Sequence, residues 1–172
     1  SNQIIYVNNK KNIGPQLNIL KSVNLAAKDY IWILGDDDKI DKTSLEALNS
    51  VDNLEEIDLI LCNRLLCDHN LVVKKVDSYC DESSMRNISV CSSRAKYLKS
   101  IVTVDGLGCF ISSWFGKSTF VKEVLSHLPE VSENLFPHVY CLWLHALKNK
   151  QTIILYLDKP IIYWRGSNSS AI

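Results

Sequence analysis

The run Tyr30-Ile31-Trp32-Ile33-Leu34-Gly35-Asp36-Asp37-Asp38 constrains this chain more than any other stretch. Five consecutive apolar residues read as a buried strand that leads straight into a glycine and three adjacent carboxylates. Three acids within roughly 10 Å of extended chain repel one another, so they call for a cation, a basic partner or full solvation. A divalent metal is the sharpest of these readings. A solvated turn that caps the next helix is the plain alternative, because Asp favours turns and helix N-termini. The preceding strand weighs toward a ligand, since open α/β sheets bind outside the carboxyl ends of their strands, where this cluster emerges.

Periodicity around that run sets the fold class. Ile4-Ile5-Tyr6-Val7 is β-rich and ends in the polar series Asn8 to Asn12. Gly14-Pro15 opens a helix carrying Leu17, Leu20, Val23 and Ala27 at helical spacing, with Asn18 and Lys21 projecting from its early turns. Strand, helix and the strand at Tyr30 to Leu34 make a βαβ unit, hence parallel strands and the α/β class. Asp41 or Thr43 caps a helix bearing Leu45, Leu48 and Val51, and Ile57 to Cys62 supplies another buried strand. Further on, the pattern predicts an exposed strand over 71–76, a surface loop over 77–87, a helix from Ser92 and a loop at Asp105 to Gly108. It continues with a strand over 109–115, helices over 117–128 and 136–148, and strands over 152–157 and 160–164 joined by a tight Asp158-Lys159 turn. No internal repeat or linker divides the 172 residues, which read as one domain with a sizeable core.

Charge and cysteine usage narrow the class of function. Nineteen basic residues balance nineteen acidic ones, which removes any global electrostatic reason to bind nucleic acid or an anionic membrane. No apolar run approaches the roughly twenty residues that span a bilayer, and the first residues lack the pattern of a secretion signal, so a cytoplasmic location is expected. Cys62, Cys67, Cys80, Cys91, Cys109 and Cys141 form no C-x-x-C pair, and reduced thiols are expected in place of disulfides or zinc ligands.

Asn12-Ile13-Gly14, Asn18, the Tyr30 to Asp38 run, Phe136-Pro137-His138 and the closing Arg165-Gly166-Ser167-Asn168, in this order and spacing, resemble the family 2 glycosyltransferases. The resemblance is closest to the bacterial branch that contains abequosyltransferases and other O-antigen or capsule sugar transferases, and it covers most of the chain. It implies the GT-A fold, Rossmann-like, with a mostly parallel sheet flanked by helices. Members of this family begin with a strand, a loop and a helix that cradle the nucleotide base and ribose. This chain starts where that portion should have ended, so it reads as a partial, N-terminally truncated domain over 1–172.

The resemblance implies inverting transfer of a sugar from a nucleotide-diphosphate sugar to a hydroxyl of a saccharide or lipid-linked saccharide, in bacterial surface polysaccharide synthesis. Peripheral contact with the inner membrane goes with a lipid-linked acceptor. The leaving diphosphate develops negative charge, which Mg²⁺ or Mn²⁺ held by hard carboxylate oxygens stabilises. Asp36, Asp37 and Asp38 match the family's Asp-x-Asp region, one or two as metal ligands and another toward ribose or sugar hydroxyls. Reading Asp36-x-Asp38 as the motif favours Asp38 for the metal, whereas the Asp-x-Asp-Asp alignment puts Gly35 first and favours Asp37.

Inversion also needs a base to take the acceptor proton. His138 stands behind Pro137 at a helix start, where the dipole favours the neutral imidazole, and Asp105 and Glu133 are reserve bases in loops. Asn12 and Asn18 are donor-site candidates because amides both donate to phosphate and accept from ribose hydroxyls. Arg165 could fork onto the diphosphate, and Trp164 beside it is a stacking candidate. Each has a plain structural counterpart: turn former, surface helix position, surface arginine, core tryptophan. Two other functions stay open, a metal-dependent nucleotidyltransferase or phosphohydrolase, and an inactive domain that acts as an interaction module. The glycine-rich loop of P-loop enzymes is absent.

Overall fold

The computed structural model describes residues 4–78, 110–126 and 152–166. Within them the elements are α1 (Gly14–Leu25), β1 (Tyr30–Trp32), α2 (Lys42–Asn49), β2 (Leu59–Cys67), β3 (Val73–Asp77), β4 (Trp114–Lys117), α3 (Ser118–Ser126) and β5 (Ile154–Arg165), with short 3-10 turns at Leu54–Glu56 and Ile111–Ser113. This is the expected α/β class. The sheet, however, is mixed, not mostly parallel. β4 pairs antiparallel with β1 and with β2, β3 pairs antiparallel with β2, and β5 pairs parallel with β2. The reason lies in the connections. β1 and β2 do run the same way across α2, as a βαβ crossover requires, but β4 returns in the opposite direction and slots between them, while β3 is the hairpin return of β2.

β2 is the centre of the sheet. Its residues 59–61 pair with β4 and 64–67 with β3, while β5 runs beside nearly its whole length. Alternation along β2 divides the core, as a two-residue side-chain period demands. Leu59 and Leu61 join Val23 of α1 and Phe120, Val121 and Val124 of α3 on one face. Ile60 and Cys62 join Ala47 and Leu48 of α2 with Ile161 and Ile162 on the other. Gly116 of β4 lies where an added Cβ would come within 2.5 Å of Val121 Cγ2, and Val121 is fully buried. Gly116→Ala is therefore expected to overpack the β4 to α3 contact at a cost of about 1–3 kcal/mol, read as a lowered midpoint in urea unfolding.

Several local expectations hold for definable reasons. Asp41 is the cap of α2: its carboxylate accepts from Ser44 N at 3.1 Å and completes a capping box with the Ser44 hydroxyl, which settles the choice between Asp41 and Thr43. Hydrogen bonds from Thr43 and Tyr163 hold the Asp41 carboxyl well below the usual range. Gly14 sits at φ 77, and its amide donates to Asn12 Oδ1 at 2.9 Å, so the start of α1 needs a glycine and an amide together. Cys62 and Cys67 are free and buried; the other four cysteines lie outside the described residues.

Other expectations fail. Ile4 to Val7 form no strand and are exposed, Ile4 by 95%. A β-rich run needs a neighbouring edge, and none of the described strands pairs with this one. Leu45 faces outward while Ser44, Ala47 and Leu48 face in. The strand expected over 109–115 begins at Trp114, after the 3-10 turn. The Asp158-Lys159 turn is no hairpin: β5 is one strand running in one direction, and the register against β2 jumps from Cys62↔Leu157 to Arg64↔Ile162. The extra residues bulge, and Pro160 sits where a missing N–H costs no ladder bond. Among the described residues no helix is long and apolar enough to cross a membrane.

Candidate functional site

The acidic run leaves the C-terminal end of β1 and is fastened at both ends. Asp38 N donates to Gly35 O at 3.3 Å, closing a four-residue turn, and Lys39 exchanges two backbone hydrogen bonds with Tyr163 of β5. Ser112, in the 3-10 turn that feeds β4, is fully buried beside it. Its hydroxyl donates to Asp38 Oδ2 and accepts from Gly35 N at 3.0 Å, and its carbonyl accepts from Trp32 Nε1 at 2.8 Å. Because β4 runs antiparallel to β1, its entry lies at the exit of β1, which brings residues 74 positions apart into contact.

The three aspartates are not equivalent. Asp36 is exposed and Asp37 and Asp38 are half-buried. Burial raises the Asp38 carboxyl above its ordinary value; the Ser112 hydrogen bond opposes this, the Asp37 charge adds to it and the Arg64 charge subtracts from it. Asp38 Oδ1 is buried and has no hydrogen-bond partner among the described residues. An orphaned carboxylate oxygen costs free energy unless something else meets it. Gly35 lets both carboxylates pack close to the backbone: an added Cβ would lie 2.9 Å from Asp37 Oδ1 and 3.0 Å from Asp38 Oδ2, the oxygen that Ser112 ties, so the two side chains lie side by side against it.

No group of three potential ligand side chains comes together among the described residues, which reduces the three-aspartate set to the Asp37 and Asp38 pair. Two hard carboxylates fit Mg²⁺ or Mn²⁺, which is commonly bound by one or two carboxylates with water and substrate phosphate completing the shell. Gly35→Ala should push the two carboxylates apart and weaken Mn²⁺ binding about tenfold or more, with an unchanged melting temperature. Wild-type affinity in a Mn²⁺ titration of that variant would contradict a site built on these two side-by-side carboxylates.

Asn12 and Asn18 come together elsewhere. With Asn8, Asn9 and Gly14 they line an open cleft of about 410 Å³ at the start of α1, and none of the aspartates lines it. Asn9 bridges the group, donating to Asn18 Oδ1 at 3.0 Å and accepting from Lys21 Nζ at 2.6 Å. Arg165 ends β5 opposite Cys67, its Nε buried without a partner among the described residues. The Trp164 ring, a stacking candidate, is covered by Arg64, whose guanidinium carbon lies 3.8 Å from its ring centre and 4.3 Å from that of Phe110. His138, Asp105 and Glu133 lie outside the described residues, as do His127, His145 and Trp143; His69 is exposed.

Two residues of the site were not anticipated, Ser112 and Arg64. Arg64 is buried in β2 and pairs with Asp77 of β3, Nε to Oδ2 at 2.8 Å and Nη2 to Oδ2 at 2.7 Å. An arginine inside an apolar strand pattern was the available signal, because a buried guanidinium demands a carboxylate. Ser112 carried none: a serine in the run Ile111-Ser112-Ser113-Trp114 looks like any strand residue.

No family model matches the sequence. Abequosyltransferase RfbV of Salmonella typhimurium strain LT2 is 30% identical over 172 residues, a match that takes in 97% of this chain and 50% of the relative. The chain thus spans about half the length of the curated relative it matches. That similarity extends over nearly the whole of this chain and supports a family 2 glycosyltransferase of the O-antigen branch.

Proposed function

We propose that this chain is the part of an inverting glycosyltransferase that holds the diphosphate of a nucleotide-diphosphate sugar, whose sugar passes to a hydroxyl of a saccharide or lipid-linked saccharide in bacterial surface polysaccharide synthesis. The observation that carries the reading is Asp38, half-buried, with one oxygen fixed by Ser112 and the other buried and without a partner among the described residues. Its neighbour Asp37 lies beside it against Gly35, and the similarity to an abequosyltransferase suggests the reaction class.

In this reading Asp38 and Asp37 hold Mg²⁺ or Mn²⁺, which when bound neutralises charge on the departing diphosphate. Asp36, exposed at the start of the turn, accepts hydrogen bonds from ribose or sugar hydroxyls. Asn12 and Asn18 offer amides to the donor from their cleft, and Arg165 offers its guanidinium to the diphosphate. His138 takes the acceptor proton, with Asp105 in reserve. The site works from the cytoplasmic face, with peripheral membrane contact where the acceptor is lipid-linked.

The experiment is calorimetric titration with UDP-, GDP- and CDP-sugars, with and without Mn²⁺, on the chain and on a longer form extended at its N-terminus. Binding that depends on Mn²⁺ and transfer of sugar without net hydrolysis supports the reading. Hydrolysis of the diphosphate without transfer points instead to a phosphohydrolase, and no metal-dependent binding by either form overturns the enzyme reading altogether.

A further inference from the structure

The Gly35 to Asp38 turn has one feature that neither a loop nor a helix cap requires. A single buried hydroxyl, that of Ser112, engages the first and the last residue of the same turn, accepting from Gly35 N and donating to the Asp38 carboxylate. A hydroxyl has one proton to give, so the Ser112 proton is committed to Asp38 Oδ2, while a lone pair takes the Gly35 amide. The serine is itself immovable: it has no exposed surface, its carbonyl is held by Trp32 Nε1, and the next residue's carbonyl accepts from Cys62 Sγ at 3.2 Å.

We infer that Ser112 is a positioning residue for the reaction: it fixes the rotation of the Asp38 carboxylate so that Oδ2 is used up and Oδ1, which has no partner among the described residues, is turned to a divalent cation. The inference rests on the proposed role of Asp38 and adds a residue to it. One hydroxyl proton meets only one carboxylate oxygen, and in a purely structural carboxylate the second oxygen is met by another donor or by water. Here one oxygen is tied and the other is left buried without a partner among the described residues. Removing the tie frees the carboxylate to rotate, and the ordering of a ligand by a partner that does not itself touch the metal governs affinity by about 10- to 100-fold.

The test uses Ser112→Ala and Ser112→Cys, the second keeping the buried volume while offering only a weak donor, in the full chain with Mn²⁺ alone as the probe. Mn²⁺ affinity by electron paramagnetic resonance should fall about 10- to 100-fold in both. Hydrogen exchange at the Gly35 amide should accelerate without metal present, and the melting temperature of the cysteine variant should stay near that of the parent. Unchanged Mn²⁺ affinity in Ser112→Cys, alongside lost affinity in Asp38→Asn, overturns the role of Ser112 and leaves the reading of Asp38 standing. Unchanged affinity in Asp38→Asn overturns that reading itself. A loss of affinity that only follows a fall in melting temperature, with Gly35 exchange unaltered, reduces Ser112 to a packing residue and also overturns the inference.

Discussion

Asp38→Asn is expected to weaken Mn²⁺-dependent binding of a nucleotide-diphosphate sugar by about 100-fold or more while the chain stays folded. The substitution keeps shape and volume and removes only charge and one acceptor oxygen. Stability should hold or rise slightly, because burial already penalises the ionised carboxyl, with the charges of Asp37 and Asp36 adding to the penalty. A site that costs stability and is kept for binding should show this opposition of effects. The same raised carboxyl sets a pH dependence. Metal binding needs the carboxylate, so affinity should fall on acidification from above the pH at which an unperturbed aspartate, with a pKa near 3.9, would lose it. Calorimetry of the variant, and of the parent across a pH series, measures both. Equal donor affinity in variant and parent would remove Asp38 from the site.

Arg64→Leu is expected to cost about 3 kcal/mol, which for a chain of this size lowers the melting temperature by about 6–12 °C. The guanidinium is buried, bonded twice to Asp77, and faced by the rings of Phe110 and Trp164. Its loss leaves the Asp77 carboxylate with only the exposed Lys75 Nζ, 4.0 Å from Oδ1, as an ion-pair partner among the described residues. The estimate sits at the low end for a broken buried pair because the Asp77 side chain keeps 22% exposure and can recover water. Adding Asp77→Leu should restore part of the stability, since an apolar pair of similar volume avoids the stranded charge. Arg64→Leu also removes a charge that favours the ionised form of Asp38, so its Mn²⁺ affinity should drop further in mildly acidic than in alkaline buffer. Thermal melts and Mn²⁺ titrations at two pH values separate the two effects.

The contrast between these two residues shows what a one-dimensional reading can reach. Asp38 was legible because its warrant is local, a buried strand that runs into carboxylates, and α1, β1 and the Asp41 cap were legible for the same reason. The apolar pattern of β2 ends at Cys62, because Asn63 and Arg64 look like the end of an apolar run. In the fold both are paid for by distant partners, Tyr156 for Asn63 and Asp77 for Arg64, and the strand continues to Cys67. The mostly parallel sheet was the natural extrapolation of a βαβ rhythm. No local pattern announces that β4 will enter between β1 and β2 from a position more than eighty residues after β1 begins. Ser112 fails to announce itself for the same reason, since it matters only through contacts made across that insertion. Ile4 to Val7 shows the opposite error: β-type residues make a strand only when a neighbour accepts their backbone.

Paramagnetic line broadening by Mn²⁺, followed residue by residue in the amide spectrum, tests the central claim most directly. Sub-stoichiometric Mn²⁺ should broaden Gly35, Asp37 and Asp38 first, and adding a nucleoside diphosphate should sharpen that selectivity while leaving the exposed pair of Lys42 and Glu46 untouched. Broadening spread evenly over the surface carboxylates, with the Gly35 to Asp38 turn no more affected than Glu46, would contradict the account.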